Sequence, residues 1–359
     1  MIPEKPPYLI AEIGVNYYDS AHVEGISPLN AAHNYVRAAA GAGADAVKFQ
    51  SYKAETLASR NSPAYWDQTK EPTASQYELF KKFDAFGTLE YHELAATCKE
   101  VGVDFLSTPF DYESLDYLED IVPAYKISSS DITNYPFLKR VAQKEKPIIL
   151  SCGASTLDEV QDAYRLLIDE GCPDVSLLHC VLSYPTNPVD ANLAVIQTLK
   201  TSFPSATIGY SDHVPPDNCM TTLLVAWLTG AEIIEKHFTL DKSLPGNDHY
   251  HAGSPDDFKL ARKQFNRCLE LLGNPEKAVL AAEEIPRLQA RRSIVTTRSI
   301  KAGEVFESDA LTCKRPGTGI PPIHLDQIIG KHAVTDLAED SLLCWKDLSG
   351  DTNKLSAHD

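Results

Sequence analysis

The chain has 359 residues, of which 43% are hydrophobic, enough to build one large domain and a small one. Its 50 acidic and 33 basic residues give a formal net charge of −17, which argues against nucleic acid and anionic membranes as partners. No apolar run approaches a membrane span, the start of the chain lacks a signal-peptide core, and the eight cysteines form no C-x-x-C pair, so we expect a cytoplasmic protein with reduced thiols.

Short apolar segments rich in β-branched residues alternate with helical patterns along most of the chain. The predicted strands are Tyr8–Val15, Asp45–Phe49, Val103–Thr108, Val122–Ile127, Pro147–Leu150, Val175–Val181, Ala206–Tyr210 and Glu232–Phe238. Amphipathic stretches between them predict helices, for example Leu89–Val101, Leu157–Glu170 and Ala191–Thr201. Eight nearly continuous apolar strands alternating with helices indicate a parallel sheet covered on both faces, and favour a closed (β/α)8 barrel.

The pattern changes near residue 272. We assign residues 1–272 to the barrel, 273–290 to a charged helical linker, 291–350 to a small, mostly irregular second domain, and 351–359 to a disordered tail. The segment Tyr17–Asn30 carries Pro, Gly and Ser and is predicted to be an irregular loop or lid. The sequence His249-Tyr250-His251 resembles a metal-binding motif, but it lies in a loop rich in Asp and Gly, so the two histidines are predicted instead to face substrate or solvent.

Polar and ionisable side chains occur at the carboxyl end of nearly every predicted strand. A strand buried on both faces disfavours Lys, Glu and His unless they are paired, so these ends predict an active site at one mouth of the barrel. The alternative for any single residue is a strand end that contacts water. The residues are Glu12, Asn16, Lys48, Gln50, Ser107, Thr108, Lys126, Ser128–Ser130, Ser151, His179, Ser211, His213, Glu235 and His237.

Two histidines end the seventh and eighth strands, which are neighbours in a barrel. Because adjacent strands lie about 4.8 Å apart, His213 and His237 can bind one divalent ion. Two protein donors leave positions open for water and a substrate oxygen, as in catalytic sites. Asp212 and Glu235 are candidates for further oxygen ligands or for hydrogen bonds to the histidines. The alternative is two unrelated core histidines bonded to the backbone.

Two lysines lie on the second and fourth strands. Lys48 and Lys126 supply two positive charges to an otherwise acidic protein, and hydroxyl groups on other strand ends surround them. The hydroxyl-bearing residues are Thr108, Ser129, Ser151 and Ser211. This combination predicts a site for a small doubly anionic ligand carrying phosphate and carboxylate. The alternative is that Lys126 pairs only with Asp131 or Glu235.

Short motifs follow one another in order between residues 8 and 350. They are Ala11–Asn16, Val47–Gln50, Ser107–Phe110, Pro123–Asp131, Ile149–Gly153, Leu177–Cys180, Tyr184–Thr186, Ile208–His213, Glu235–Thr239, Arg291–Ser293 and Lys314–Ile320. Together they resemble the sialic acid synthase family, which makes N-acetylneuraminate, legionaminate or pseudaminate. The resemblance implies a (β/α)8 TIM barrel followed by a small domain similar to type III antifreeze protein, the SAF domain.

The resemblance also implies an activity and its ligands. The family joins phosphoenolpyruvate to an N-acetylated amino-sugar aldose and water, giving a sialic-acid-like nonulosonate and phosphate, and is therefore a C–C bond-forming transferase. The aldose is N-acetylmannosamine or a 6-deoxy diacetamido analogue. A divalent metal, Mn²⁺ first and Mg²⁺ or Co²⁺ as alternatives, would bind His213 and His237. The positions matching phosphoenolpyruvate ligands are Lys48, Thr108, Lys126, Ser129, Ser151 and Ser211, and those matching sugar ligands are Glu12, Gln50, Tyr184 and Asp248.

The remaining implied roles concern catalysis and the second domain. Asp131 matches the acid/base, and Lys126 is assigned to catalysis with it. Arg315 matches an arginine that reaches into the partner subunit's site and contacts the acetamido group, which implies a domain-swapped homodimer acting in trans.

Three departures from the family pattern stand out. Asp131 replaces a common Glu, Leu182 replaces an Asn of some members, and Tyr17 and Tyr18 replace a His-x-Gly sequence. Two alternatives therefore remain open: another phosphoenolpyruvate-dependent synthase using a pentose or tetrose phosphate, and a non-catalytic binding or scaffold relative.

Overall fold

The computed structural model describes residues 3–246 and 248–350. The chain divides into two compact units, Met1–Gly273 and Asn274–Asp359. The predicted disordered tail, 351–359, lies outside the described residues. Within the described ranges, no helix has the length and apolar character needed to cross a membrane.

Eight parallel strands form a near-closed barrel in the first unit. They are β1 (Tyr8–Gly14), β2 (Ala46–Ser51), β3 (Asp104–Pro109), β4 (Tyr125–Ile127), β5 (Ile148–Ser151), β6 (Val175–Cys180), β7 (Thr207–Asp212) and β8 (Ile233–His237). Their order is β3-β2-β1-β8-β7-β6-β5-β4, so the first and last strands pair with each other. The predicted (β/α)8 barrel is confirmed, and no predicted strand boundary differs by more than three residues.

Helices follow or precede the strands around the barrel. They are α1 (Tyr17–Glu24), α2 (Pro28–Gly41), α3 (Ala54–Leu57), α4 (Gln76–Lys82), α5 (Thr88–Val101), α6 (Tyr112–Leu118), α7 (Tyr135–Ala142), α8 (Leu157–Asp169), α9 (Val195–Ser202), α10 (Thr221–Thr229) and α11 (Pro255–Leu272). The helix predicted to begin at Ala191 begins at Val195 instead. Asn192 has a φ of 45°, in the left-handed region, which a continuous right-handed helix cannot include.

The prediction of an irregular loop over Tyr17–Asn30 is wrong, because two helices occupy this segment. Gly25 ends α1 in the left-handed conformation, with a φ of 68°. Ser27 caps the start of α2 by accepting a hydrogen bond from the Asn30 amide, and Pro28 takes the first helical position. The Gly, Ser and Pro residues thus mark the ends of helices rather than a loop.

An apolar layer fills the inside of the barrel beneath the polar strand ends. Its buried members are Ile10, Ala46, Leu106, Ile149 and Leu178. Side chains two positions apart on a strand share a face, so each strand that carries one of these residues points the side chain two positions later into the barrel mouth. Glu12 follows Ile10 in this way, and Lys48 follows Ala46. Strand alternation therefore gives the barrel an apolar floor and a polar mouth.

The register between strands brings specific polar residues side by side. Glu12 of β1 lies opposite Lys48 of β2 and also opposite His237 of β8. Ser211 of β7 lies opposite Glu235 of β8. The mouth thus acquires adjacent cationic, anionic and imidazole groups before any loop contributes.

The second unit has its own small core around an antiparallel pair, β9 (Ser293–Thr296) and β10 (Leu311–Lys314). Its helices are α12 (Glu284–Ala290) and α13 (Leu325–Ile328). Its buried core includes Ile294, Ile300, Phe306, Ile320 and Leu343. Arg315, directly after β10, is exposed.

Candidate active site

A cavity of about 410 Å³ opens at the carboxyl ends of the barrel strands. Ser107, His179 and Glu235 of the predicted strand-end set are not among its lining residues, but the predicted catalytic and ligand-binding residues of the first unit all line it. They are Glu12, Lys48, Gln50, Thr108, Lys126, Ser129, Asp131, Ser151, Tyr184, Ser211, His213, His237 and Asp248. The structure therefore brings these residues of seven separate strands and of later loops to one place.

Two lysines and two glutamates form a buried charge cluster, of which Glu12, Lys48 and Lys126 line the cavity. The Nζ of Lys48 lies 2.5 Å from Oε2 of Glu12 and 3.9 Å from Oε1 of Glu235. The Nζ of Lys126 lies 4.0 Å from the other oxygen of Glu235. Gln50 donates from Nε2 to Glu12, at 2.8 Å. Glu235 thus lies between the two ammonium groups, whereas Glu12 forms an ion pair with Lys48 alone among the two lysines.

The charges of this cluster are set by burial and by each other. Burial raises the pKa of Glu12 to about 7. The positive charge of Lys48 opposes this rise, and the negative charge of Glu235 adds to it. Burial also opposes ionisation of Glu235, but the ammonium groups of Lys126 and Lys48 hold its pKa below the usual value. The pKa of Lys48 is raised because Glu12 and Glu235 outweigh the cost of burial. Glu12 is therefore the group of the cluster that changes charge near neutral pH.

Lys126 is surrounded by hydrogen-bond acceptors and hydroxyl groups. Its Nζ donates to Ser151 Oγ at 2.7 Å and to the Ile127 carbonyl at 3.1 Å. Burial lowers its pKa and the neighbouring Lys48 adds to that effect, whereas the carboxylate of Glu235 at 4.0 Å opposes it. A Cβ on Gly153 would lie 3.1 Å from Ser129 Oγ, so this position favours glycine if the hydroxyl is to face the cavity. Lys126 is a cation whose charge is only partly compensated.

Asp131 ends a short 3₁₀ segment, Ser129–Asp131, at the cavity wall. Its Oδ1 accepts a hydrogen bond from Asn134 Nδ2 at 3.0 Å. Burial raises its pKa, and the Asn134 hydrogen bond opposes that rise. A half-buried carboxylate with one lone-pair region already occupied can still accept a proton from a neighbouring water.

The two strand-end histidines face each other under a tyrosine. Their ring centroids are 5.4 Å apart, and the Tyr184 ring lies 4.1 Å from that of His213. Nδ1 of His213 lies 2.7 Å from the Val181 carbonyl. A carbonyl can only accept, so this nitrogen carries the proton and leaves Nε2 with a free lone pair. Burial lowers the pKa of His213 to about 4, which keeps the imidazole neutral.

A second set of possible metal ligands lies beside His237. The ligand atoms of His237, Asp248 and His251 all lie within 4.8 Å of one another, and His213 is not a member of this group. Nδ1 of His237 lies 3.8 Å from Oδ2 of Asp248. Two imidazoles and a carboxylate suit a divalent transition metal, so the donor set fits such an ion.

Sequence reasoning did not assign His251 to the metal, and the part of its prediction in which His249 and His251 face solvent is wrong. Both side chains are 0% exposed. His249 lies between Thr239 Oγ1, at 2.7 Å, and Asp19 Oδ2, at 3.3 Å, whereas His251 joins the metal-ligand group. The available signal was an Asp-x-x-His spacing shortly after β8.

The suggestion that Asp212 and Glu235 assist the histidines is not supported by their contacts. Asp212 pairs with Lys236 at 2.8 Å, on the opposite face of the strands from the cavity-lining Ser211. Glu235 contacts the two lysines and accepts from Ser211 Oγ at 3.0 Å. Asp248 is the carboxylate that lies nearest to His237 in the ion pairs described.

Two family models and several known proteins match this chain. A model described as the NeuB family matches residues 35–277, and a model of the SAF domain matches residues 291–349, which confirms the antifreeze-like second domain. An N,N'-diacetyllegionaminic acid synthase of Campylobacter jejuni is 36% identical over 94% of this chain and 99% of that protein. A pseudaminic acid synthase of Helicobacter pylori is 31% identical over 96% and 98%. The crystal structure of an N-acetylneuraminic acid synthetase of Leptospira borgpetersenii superposes with a TM-score of 0.67 at 34% identity, covering 79% of this chain and 90% of that one.

Proposed function

The chain belongs to the NeuB family, and on that premise we propose that it condenses phosphoenolpyruvate with an N-acetylated amino-sugar aldose and water. The products are a nonulosonate and phosphate. The relatives named above are nonulosonic acid synthases, and the chain spans almost their full length. The observation that carries the proposal is the position of two buried ammonium groups beside a pair of neutral imidazoles in one cavity.

The lysine side of the cavity suits phosphoenolpyruvate. Lys48 and Lys126 supply two ammonium groups, and hydroxyl groups supply neutral donors that can follow the shape of phosphate and carboxylate. These hydroxyls belong to Thr108, Ser129, Ser151 and Ser211. In a protein of net charge −17, a dianion needs such a local site, because the overall field repels it.

The protonation of Glu12 adjusts the charge of this site. With Glu12 neutral, Lys48 and Lys126 face only one carboxylate, Glu235, and the cluster carries a net positive charge. Binding of a dianion next to Glu12 favours that neutral form further. The proton thus remains on Glu12 while phosphoenolpyruvate is bound.

The imidazole side suits a metal-held aldose. His213 and His237 would hold the ion through neutral nitrogens. A bound divalent ion, Mn²⁺ ahead of Mg²⁺ and Co²⁺, supplies Lewis acidity toward the aldehyde oxygen. Around it, we assign Glu12, Gln50, Tyr184 and Asp248 to the sugar, and these side chains orient its hydroxyl and amide groups.

Asp131 acts on water in this proposal. Bond formation between C3 of phosphoenolpyruvate and the aldehyde carbon breaks the C=O π bond, and the aldehyde oxygen takes up a proton to become a hydroxyl. Positive character is left at C2, and water adds there as Asp131 accepts its proton. The resulting tetrahedral carbon then loses phosphate by cleavage of the C2–O bond, and the hydroxyl proton leaves as the keto group forms. Lys126, within the same cavity, holds the departing phosphate.

Arg315 completes the sugar site from a second copy of the chain in this proposal. It is exposed in the SAF unit and follows β10 directly, so its guanidinium is available to another molecule. A guanidinium donates in a planar fork, which suits an acetamido oxygen. The active form is therefore a domain-swapped homodimer.

The test is a turnover assay with phosphoenolpyruvate, Mn²⁺ and a panel of acetamido aldoses, read by phosphate release and by mass spectrometry of the sugar product. We expect one phosphate per nonulosonate formed. Turnover with pentose or tetrose phosphates alone would assign the chain to another phosphoenolpyruvate-dependent synthase. Absence of turnover with every aldose would leave a binding or scaffold role.

A further inference from the structure

His251 is an imidazole whose polar atoms are left unsatisfied. It is 0% exposed, and both Nδ1 and Nε2 lack a hydrogen-bond partner among the residues that the structure describes. A neutral imidazole offers one N–H donor and one lone pair, and buried polar atoms of this kind are nearly always paired in folded proteins. A side chain buried in this way is open to a ligand, because the described protein atoms do not satisfy it.

The neighbours of His251 favour a cation as that ligand. Its ring centroid lies 5.0 Å from that of His237 and 5.8 Å from that of Tyr184. Nδ1 of His237 is likewise buried without a hydrogen bond, and it lies 3.8 Å from the Asp248 carboxylate. Lone pairs and one negative charge converge on the same small volume, which a positive ion stabilises.

The spacing of these atoms is close to that of a metal site. The ligand atoms of His237, Asp248 and His251 lie within 4.8 Å of one another. Ligands about 2.1 Å from a common ion lie roughly 3 to 4 Å apart. Side-chain rotations that move these ligand atoms by about an ångström therefore suffice to place all three on one ion.

The backbone holds His251 in this place. The loop after β8 returns to that strand, because the Gly253 amide donates to the His237 carbonyl at 2.7 Å and the Thr239 amide donates to the Gly253 carbonyl at 3.0 Å. His249 ties the same loop to α1 through Asp19. His251 is thus fixed beside His237 by hydrogen bonds that begin and end on the barrel.

We propose that His251 binds the divalent ion of this enzyme directly, together with His237 and Asp248. The inference rests on the proposed function, since the ion is the one that would hold the aldose. It adds His251 and Asp248 to the pair His213 and His237 inferred from the family resemblance, so Asp248 is assigned to the ion as well as to the sugar. Three imidazoles and a carboxylate leave further coordination positions for the substrate and water.

The test measures metal binding without substrates. Mn²⁺ is titrated into the full-length apoprotein, and free Mn²⁺ is followed by electron paramagnetic resonance for the wild type, His251→Leu and the control His179→Leu. His179 is also buried, but its Nε2 contacts the Ala191 carbonyl at 2.8 Å and it does not line the cavity. We expect His251→Leu to weaken Mn²⁺ binding by about 10-fold or more and the control to leave it unchanged.

The outcomes separate the inference from the function on which it rests. Unchanged Mn²⁺ affinity in folded His251→Leu overturns the inference, even if the wild type makes a nonulosonate. Weakened binding in His251→Leu with no turnover by the wild type supports the metal site and rejects the proposed function. If His251→Leu does not fold by circular dichroism, His251→Asn, which keeps a polar side chain, is read in the same way.

Discussion

Lys236 and Asp212 form an enclosed ion pair, with Nζ and Oδ2 2.8 Å apart and side chains 0% and 2% exposed. The two residues lie opposite each other on β8 and β7, and each directly precedes one of the facing histidines, His237 and His213. Lys236 also donates to the Val214 carbonyl. The pair therefore fixes the register of the two strand ends that carry the imidazoles.

Removal of one member should destabilise the fold strongly. Lys236→Met leaves the Asp212 carboxylate buried without its counter-ion, and we expect a loss of about 3–5 kcal/mol in the free energy of unfolding. Urea denaturation measures it. Lys139→Met is the control, because Lys139 forms a more exposed pair with Glu170 that contributes less than about 1 kcal/mol. Equal effects of both substitutions would contradict the role of the enclosed pair.

Lys126→Met tests the anion site. A charge-assisted hydrogen bond contributes about 1.5–3 kcal/mol, so the KM for phosphoenolpyruvate should rise by roughly 10-fold to 100-fold. The KM for the aldose should change much less, because the lysine belongs to the opposite side of the cavity. Steady-state kinetics with each substrate varied in turn measures both values, again with Lys139→Met as the control. A larger effect on the aldose than on phosphoenolpyruvate would place the anion elsewhere.

The raised pKa of Glu12, about 7 against an ordinary 4.5, predicts a pH dependence of stability. Between these values the folded state binds more protons than the unfolded state, so the contribution of Glu12 to stability falls as the pH rises through that window. The free energy of unfolding of the wild type, relative to Glu12→Gln, should fall from pH 4.5 to 7 and level off above it. Denaturation curves at a series of pH values measure this difference, and a difference that stays constant would reject the raised pKa.

Asp131→Asn should lower kcat by about 10²–10⁴-fold while leaving the KM for phosphoenolpyruvate nearly unchanged. The reason is that, in the proposed function, the carboxylate accepts a proton during the reaction but does not bind the anion. Asn134→Ala provides a second test of this role, because loss of the Asn134 hydrogen bond should raise the pKa of Asp131 further. The acid limb of the kcat profile should then move to higher pH, because the base must be ionised to act. Full turnover by Asp131→Asn would contradict the assignment of Asp131 as the base.

Mixed subunits test the role of Arg315. Arg315→Ala and Asp131→Asn are each expected to be weakly active alone. When the two proteins are unfolded and refolded together, a trans arrangement gives each heterodimer one site with both side chains intact. About a quarter of wild-type activity should return from random pairing. Failure to recover activity, despite heterodimers seen by native mass spectrometry, would place Arg315 in its own subunit's site or outside any site.

Much of the barrel and of its polar mouth was predictable from the sequence. Strand alternation is local, so the spacing of Lys48 from Ala46 and of Ser211 from His213 indicates a shared face without any tertiary information. The two helices within Tyr17–Asn30 were not predicted, because Gly25 and Pro28 mark helix ends as readily as loops. The other residues of that segment show no amphipathic pattern that would have predicted helices instead of a loop.

The position of His251 was not predictable for a different reason. Its burial depends on the bridge between Phe238 and Gly253 and on the contact of His249 with Asp19, residues 230 positions apart in the chain. Such contacts form only when the barrel closes and α1 packs against the loop after β8. A loop rich in Asp and Gly carries no periodicity from which this burial can be inferred.

The apolar floor of the barrel has a consequence for the order of events. Because Ile10, Ala46 and Leu178 seal the interior, both substrates enter and both products leave through the single mouth. On the proposed function, phosphate and the sugar acid must therefore both leave through this opening before the next phosphoenolpyruvate and aldose can bind.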